Sequence, residues 1–233
     1  MSKIYVIIGT GRSGTAYTSK LLRHCGLSIG HEVFEADGIS SWYLNDEAFN
    51  KQSAHWQDLS EITPVIAHQL RNPLKTIPSL MTINNASWEF IKNSSITSNW
   101  DKSLLLRSMR HWLDWNLAAY DKAEFHWTLE GLQDEIKPFL KEALPNLKTT
   151  IFEEHVQAVS YATNSSKTRL NGLQRIVSTS PCVLIRRLRH AYFPLHLTAE
   201  KMHAVDYILA NEIVQFYEKF KVHVGFKPYK GNG

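Results

Sequence analysis

The chain has 233 residues, with 26 Lys and Arg against 22 Asp and Glu and a formal net charge of +4. Hydrophobic residues at 43% and charged residues at 21% exclude wholesale disorder, and the length suits one α/β domain over 1–233 better than two small ones. The mild basic balance favours an anionic ligand, yet it is too evenly spread to be a nucleic-acid signature.

Ile4 to Ile8 is an uninterrupted, β-branched apolar run, the pattern of a strand buried on both faces. Glycines and Arg12 follow it where a signal peptide would carry its cleavage site, so no leader is expected. Ala16, Tyr17, Leu21, Leu22 and Cys25 then recur at helical spacing, and Gly26 is placed to end that helix. Leu27 to Ile29 predicts a second short strand that leads into His31 and Glu32. Pro64 to Leu70 reads as another buried strand, with Pro73 opening the next helix. Asp101 is a candidate N-cap for a long helix through Tyr120, its apolar face running from Leu104 to Leu117. Phe125 to Leu129 predicts a strand and Leu132 to Leu144 a helix interrupted or started by Pro138. The Ser-, Thr- and Asn-rich stretch 161–180 predicts a long mobile loop. A closing helix is expected from Thr198 to Phe220, with Val205, Ile208, Leu209, Ile213 and Phe216 among its apolar positions.

Strands that alternate with helices imply βαβ units, hence a three-layer α/β fold with a central, mainly parallel sheet. No stretch reaches the apolar length of a membrane span. The two cysteines, Cys25 and Cys182, form neither a disulfide framework nor a CxxC pair for zinc, which predicts a reducing, cytoplasmic setting.

The segment Gly9-Thr-Gly-Arg-Ser-Gly-Thr15 lies between a predicted strand and a predicted helix, where a phosphate cradle belongs. Glycines let backbone N–H groups turn inward, and the helix start adds unpaired donors and the positive end of a dipole. The Gly9-to-Gly14 spacing matches the Walker A frame. Thr15, however, stands where a nucleotide triphosphatase needs Lys, and Ala16 where it needs the magnesium-binding hydroxyl. Arg12 supplies a cation from within the loop instead, so an anion site without a metal is expected.

The GTGRSGT run followed by a Leu-rich helix resembles the 5′-phosphosulfate loop of sulfotransferases that use 3′-phosphoadenylyl sulfate. The segment HQLRNPLKTIPSL resembles that family's second signature, an Arg at a strand end with a Ser on the following helix, here Arg71 and Ser79. The resemblance is firm over the first eighty or so residues and general beyond them. It implies the P-loop fold, 3′-phosphoadenylyl sulfate (PAPS) as sulfonate donor, and donor contacts from Gly11, Arg12, Ser13, Gly14, Thr15, Ala16, Arg71 and Ser79. Arg71 offers a planar fork suited to a phosphate, and Ser79 adds a hydroxyl donor.

Transfer of a sulfonate to a hydroxyl or amine needs a proton acceptor, positioning, and cations on the leaving phosphate. Glu32, on the edge where open parallel sheets bind ligands, resembles the catalytic glutamate of protein-tyrosine and some carbohydrate sulfotransferases. A salt-bridging loop Glu is the plainer alternative. His31 is the neighbouring candidate base, and His68 a third, more readily explained as a buried structural histidine. Catalytic roles therefore fall on Glu32, Arg12 and His31.

Trp112 and Asn116 share a helical face that core packing explains for the most part. The segment FHWTLEGL resembles a structural element of the same family. Arg186, Arg187, Arg189 and His190 suit either an acidic acceptor or a solvated strand end, and Lys167 with Arg169 match no late basic motif. The alternatives are a kinase of the P-loop fold, which magnesium-dependent turnover of ATP would reveal, and an inactive nucleotide-binding module. Sugar, lipid, small phenol and peptide all remain open as acceptor.

Overall fold

A computed structural model describes residues 3–46, 64–97, 100–101, 103–164, 197–222 and 225–226. Five strands, β1 (Tyr5–Ile8), β2 (Ile29–His31), β3 (Gly38–Ser40), β4 (Val65–Leu70) and β5 (Phe125–Thr128), pair in parallel. A two-residue strand, β6 (Gly225–Phe226), adds antiparallel to β5, and the sheet order is β2-β3-β1-β4-β5-β6. The helices are α1 (Thr15–His24), α2 (Pro73–Leu80), α3 (Asn85–Lys92), α4 (Leu104–Lys122), α5 (Leu132–Glu135), α6 (Lys137–Ala143), α7 (Thr149–Asn164), α8 (Ala199–Val205) and α9 (Tyr207–Val222).

Alternation along the strands divides the core in two. Tyr5, Ile7, Ala67, Phe125 and Trp127 pack with Leu21, Leu22, Phe139 and Phe152 of α1, α6 and α7. On the opposite face Val6 and Ile8 pack with Ile39 and Ala119, and Leu70 packs with Ile77, Trp112 and Ile213 of α2, α4 and α9. The result is the expected three-layer α/β fold. Among the described residues no helix is long and apolar enough to cross a membrane.

Several boundaries differ from the sequence reading. The second strand starts at Ile29 and not at Leu27, because Leu27 belongs to the helix stop. Its N–H reaches back to Leu22 O and that of Gly26, at φ 97°, to Arg23 O, the double bond of a Schellman turn. Strand β3 was not expected: three residues reading Gly-Ile-Ser have no length over which a period can show. Six residues link it to β2, fewer than a usual parallel crossover. They suffice because each three-residue strand spans only about 10 Å.

Ser103, and not Asp101, caps α4, accepting from Leu106 N at 3.5 Å. Leu117 of that helix is 43% exposed. The stretch from Leu132 to Leu144 divides at Ile136 into α5 and α6. The closing helix breaks at Asp206, whose backbone is extended (φ −156°, ψ 103°). That break turns Ile208 outward, 71% exposed, while Leu209, Ile213 and Phe220 stay in the core. Residues 161–164 of the expected loop continue α7. The rest of that stretch, with Lys167 and Arg169, lies outside the described residues, as do Cys182, Arg186, Arg187, Arg189 and His190.

Candidate functional site

The chain runs from β1 outward to β2 and β3 and then crosses back to β4 on the other side of β1. The strand order therefore reverses at β1, and a crevice opens past the carboxyl ends of β1 and β4, where open α/β sheets bind ligands. A cavity of about 460 Å³ occupies this place. Four strand ends feed it: Gly11, Arg12 and Gly14 follow β1, His31 ends β2 with Glu32 next, Trp42 follows β3, and Arg71 follows β4.

The loop after β1 is built by close approach to β4. A Cβ on Gly9 would lie 2.4 Å from Gln69 O, and one on Gly14 would meet Leu129 Cδ2 at 2.7 Å. Gly14 also has φ 100° and caps α1 without a side chain, and the first turn of that helix holds no acidic residue. The helix N-terminus thus borders the cavity with no carboxylate in its own first turn to offset its dipole.

Gln69, fully buried, braces the loop from below. Its amide donates to Ser13 O at 2.8 Å, and its Oε1 accepts from Trp127 Nε1 at 3.1 Å and from the Thr18 hydroxyl. Arg71 braces it from the side, Nη1 donating to Arg12 O at 3.1 Å. Trp112 Nε1 in turn donates to Arg71 O at 3.3 Å.

Of the residues singled out in the sequence, Gly11, Arg12, Gly14, Thr15, Ala16, His31, Glu32, Arg71 and Ser79 all line this one cavity. Ser13 does not. It is fully buried, and its hydroxyl lies toward Gly9, 3.0 Å from where a Cβ there would be. His68 is also apart from the cavity. It is fully buried beside His126 and Phe220, bonded to Asn116 Oδ1 at 3.0 Å, and burial with the nearby His126 pushes its pKa down to about 3. It is the structural histidine and no candidate base.

His31 Nε2 lies 3.4 Å from Thr15 Oγ1. Glu32 Oε1 accepts from Trp42 Nε1 at 3.1 Å, and Glu32 O accepts from the Tyr43 hydroxyl at 3.0 Å. An extended segment would send His31 and Glu32 to opposite faces. Glu32 instead has φ 59°, and this left-handed turn lets both residues border the cavity.

The sequence reading missed Trp42, Ile83, Asn84, Ser87, Ile91 and His111 on the cavity wall. On α4 it weighed Trp112 and Asn116, which are fully buried and serve the core as expected. The other i, i+4 pair, His111 and Trp115, packs against Trp42. Only the helical spacing itself could have flagged that pair.

Compared with protein-family models, with curated proteins and with solved structures, the chain matches none.

Proposed function

We propose that the protein is a sulfotransferase, which moves a sulfonate group from 3′-phosphoadenylyl sulfate to a hydroxyl or amine acceptor. The observation that carries this reading is the meeting in one cavity of the Arg12–Ala16 loop with Arg71 and Ser79, segments some sixty residues apart. The residues present fit such a donor. Two guanidinium groups and an uncapped helix start suit an anion with several phosphate oxygens, and Arg71 Nε is buried with no hydrogen-bond partner among the described residues. Thr15 and Ala16 replace the Lys and hydroxyl that a phosphoryl-transfer loop would carry.

In this reading the backbone N–H groups of the loop, with Arg12 and Thr15, hold the 5′-phosphate and the departing sulfonate. Arg71 and Ser79 hold the 3′-phosphate. When bound, the donor supplies a sulfur that the acceptor oxygen attacks as the bond from sulfur to the 5′-phosphate oxygen breaks. Glu32, oriented by Trp42, takes the proton released from the acceptor, with His31 beside it as the alternative base. Arg12 and the end of α1 offset the charge that grows on the leaving phosphate.

Thermal unfolding with nucleotides tests the reading. 3′-Phosphoadenosine 5′-phosphate should raise the midpoint without magnesium, by an amount equivalent to about 2.7 kcal/mol at a hundredfold excess over its dissociation constant. AMP and ATP should do much less. Equal shifts with AMP would show that nothing reads the 3′-phosphate, and a shift with ATP that needs magnesium would favour a kinase.

A further inference from the structure

His111 lies on the cavity wall, 2% exposed. Among the described residues neither of its ring nitrogens has a hydrogen-bond partner. Its neighbours are indoles: Trp115 at 4.7 Å, Trp42 and Trp88 each at 6.2 Å between ring centroids. An imidazole placed there only to fill space would carry the desolvation cost of two unused polar groups, where Phe or Leu would carry none. The buried His68 meets half of that problem through Asn116, its Nδ1 having no hydrogen-bond partner among the described residues. His111 leaves both nitrogens without a hydrogen-bond partner among the described residues, and its ring borders the cavity at the strand ends.

The chemistry of the surrounding wall narrows the partner. The charged groups of the cavity, Arg12, Arg71 and Glu32, belong to the strand-end loops. The wall that α3, α4 and the turn before α3 contribute has Ile83, Ile91, Asn84 and Ser87 beside His111, all uncharged. Burial lowers the His111 pKa to about 3, so at neutral pH the ring is an uncharged donor and acceptor.

We propose that this wall is the acceptor subsite, and that it takes an uncharged, planar aromatic alcohol whose second polar substituent hydrogen-bonds to His111. The inference rests on the sulfonate-transfer reading for the word acceptor, but not for the binding itself. Indole and isoleucine surfaces cover a flat ring, and the imidazole fixes which end of it points toward Glu32. A sugar ring would need more polar partners than Asn84, Ser87 and His111 present.

The test is calorimetric titration of the full chain with hydroquinone and with phenol, which differ by the one hydroxyl, each with and without 3′-phosphoadenosine 5′-phosphate. The wild type should bind hydroquinone roughly 3- to 10-fold more tightly, the range of one net hydrogen bond. His111→Phe should erase that preference and keep the thermal shift with the nucleotide. Ser87→Phe, which fills the subsite from α3 and leaves His111 in place, should weaken both phenols at least tenfold, and it decides the matter should His111→Phe not fold. Equal binding of the two phenols by the wild type, a preference that survives in His111→Phe, or unimpaired binding by Ser87→Phe would each overturn the proposal. So would no binding of either phenol alongside an intact nucleotide shift, which spares the donor reading. Phenol binding that follows the pattern above without any nucleotide shift would leave the subsite standing and overturn sulfonate transfer.

Discussion

Arg12 and Glu32 have backbone φ of 68° and 59°, and among the described residues they are the non-glycine residues with positive φ. Each such conformation costs about 1–2 kcal/mol, and both residues line the same cavity. A strained backbone is retained where the side chain has a use that glycine could not serve. Arg12→Gly should therefore leave stability within about 1 kcal/mol of the wild type in urea unfolding while removing the stabilisation by 3′-phosphoadenosine 5′-phosphate. A large loss of stability would make Arg12 a structural residue. Arg12→Lys retains the charge but not the planar fork, so sulfonate transfer should fall substantially with the fold intact. Full activity would take the guanidinium out of the mechanism. For the base, Glu32→Gln keeps the size and the acceptor oxygen that Trp42 binds but cannot take up a proton. Turnover should drop by about 10²–10⁴-fold with little change in donor binding. A near-normal Glu32→Gln beside a defective His31→Asn would transfer the role to His31.

Between elements, the loop after β1 is held by side chains of β4. Gln69 alone joins Ser13, Thr18 and Trp127, three separate elements, from a fully buried position. Gln69→Leu conserves volume but strands three polar groups, each worth about 1 kcal/mol. The variant should lose about 2–4 kcal/mol in urea unfolding and bind 3′-phosphoadenosine 5′-phosphate more weakly, because the loop no longer rests on a fixed support. An unchanged midpoint would mean that the glycines and the start of α1 suffice to shape the loop. Helix α4 divides its labour by face in the same way: Trp112 and Asn116 hold Arg71 and His68, whereas Trp115 Nε1 holds Trp42 O at 2.8 Å.

For the molecule as a whole, two buried histidines set an acid limit. Burial lowers the pKa values of His68 and His111 from 6.5 to about 3. The unfolded chain therefore takes up protons first as pH falls, and stability that is fully present above about 6.5 is lost progressively toward 3. Each histidine contributes at most about 1.4 kcal/mol per pH unit in that window. Between pH 7 and 5.5 the wild type should lose roughly 1 kcal/mol for each of them, measured by urea unfolding at the two pH values. His68→Gln should reduce that loss by about half. An equal loss in the variant would place the acid sensitivity in other groups.

The strand-loop-helix at the start of the chain was legible in the sequence because its cues are local: a β-branched run, glycines, then helical spacing. The same holds for Pro73, which opens α2 behind an Asn72 cap that accepts from Leu74 N at 2.9 Å. Arg12, Glu32, Arg71 and Ser79 were singled out together by the resemblance to a family's signatures and not by local pattern alone, and they border one cavity. Strand β3 and the break at Asp206 were not legible, since three residues show no period and a helical face continues across a one-residue interruption. Nor was the wall formed by Trp42, Ser87 and His111. Those side chains come from a strand end and two helices, and only the order of the strands, with β1 between β3 and β4, decides that they border the space the glycine loop opens.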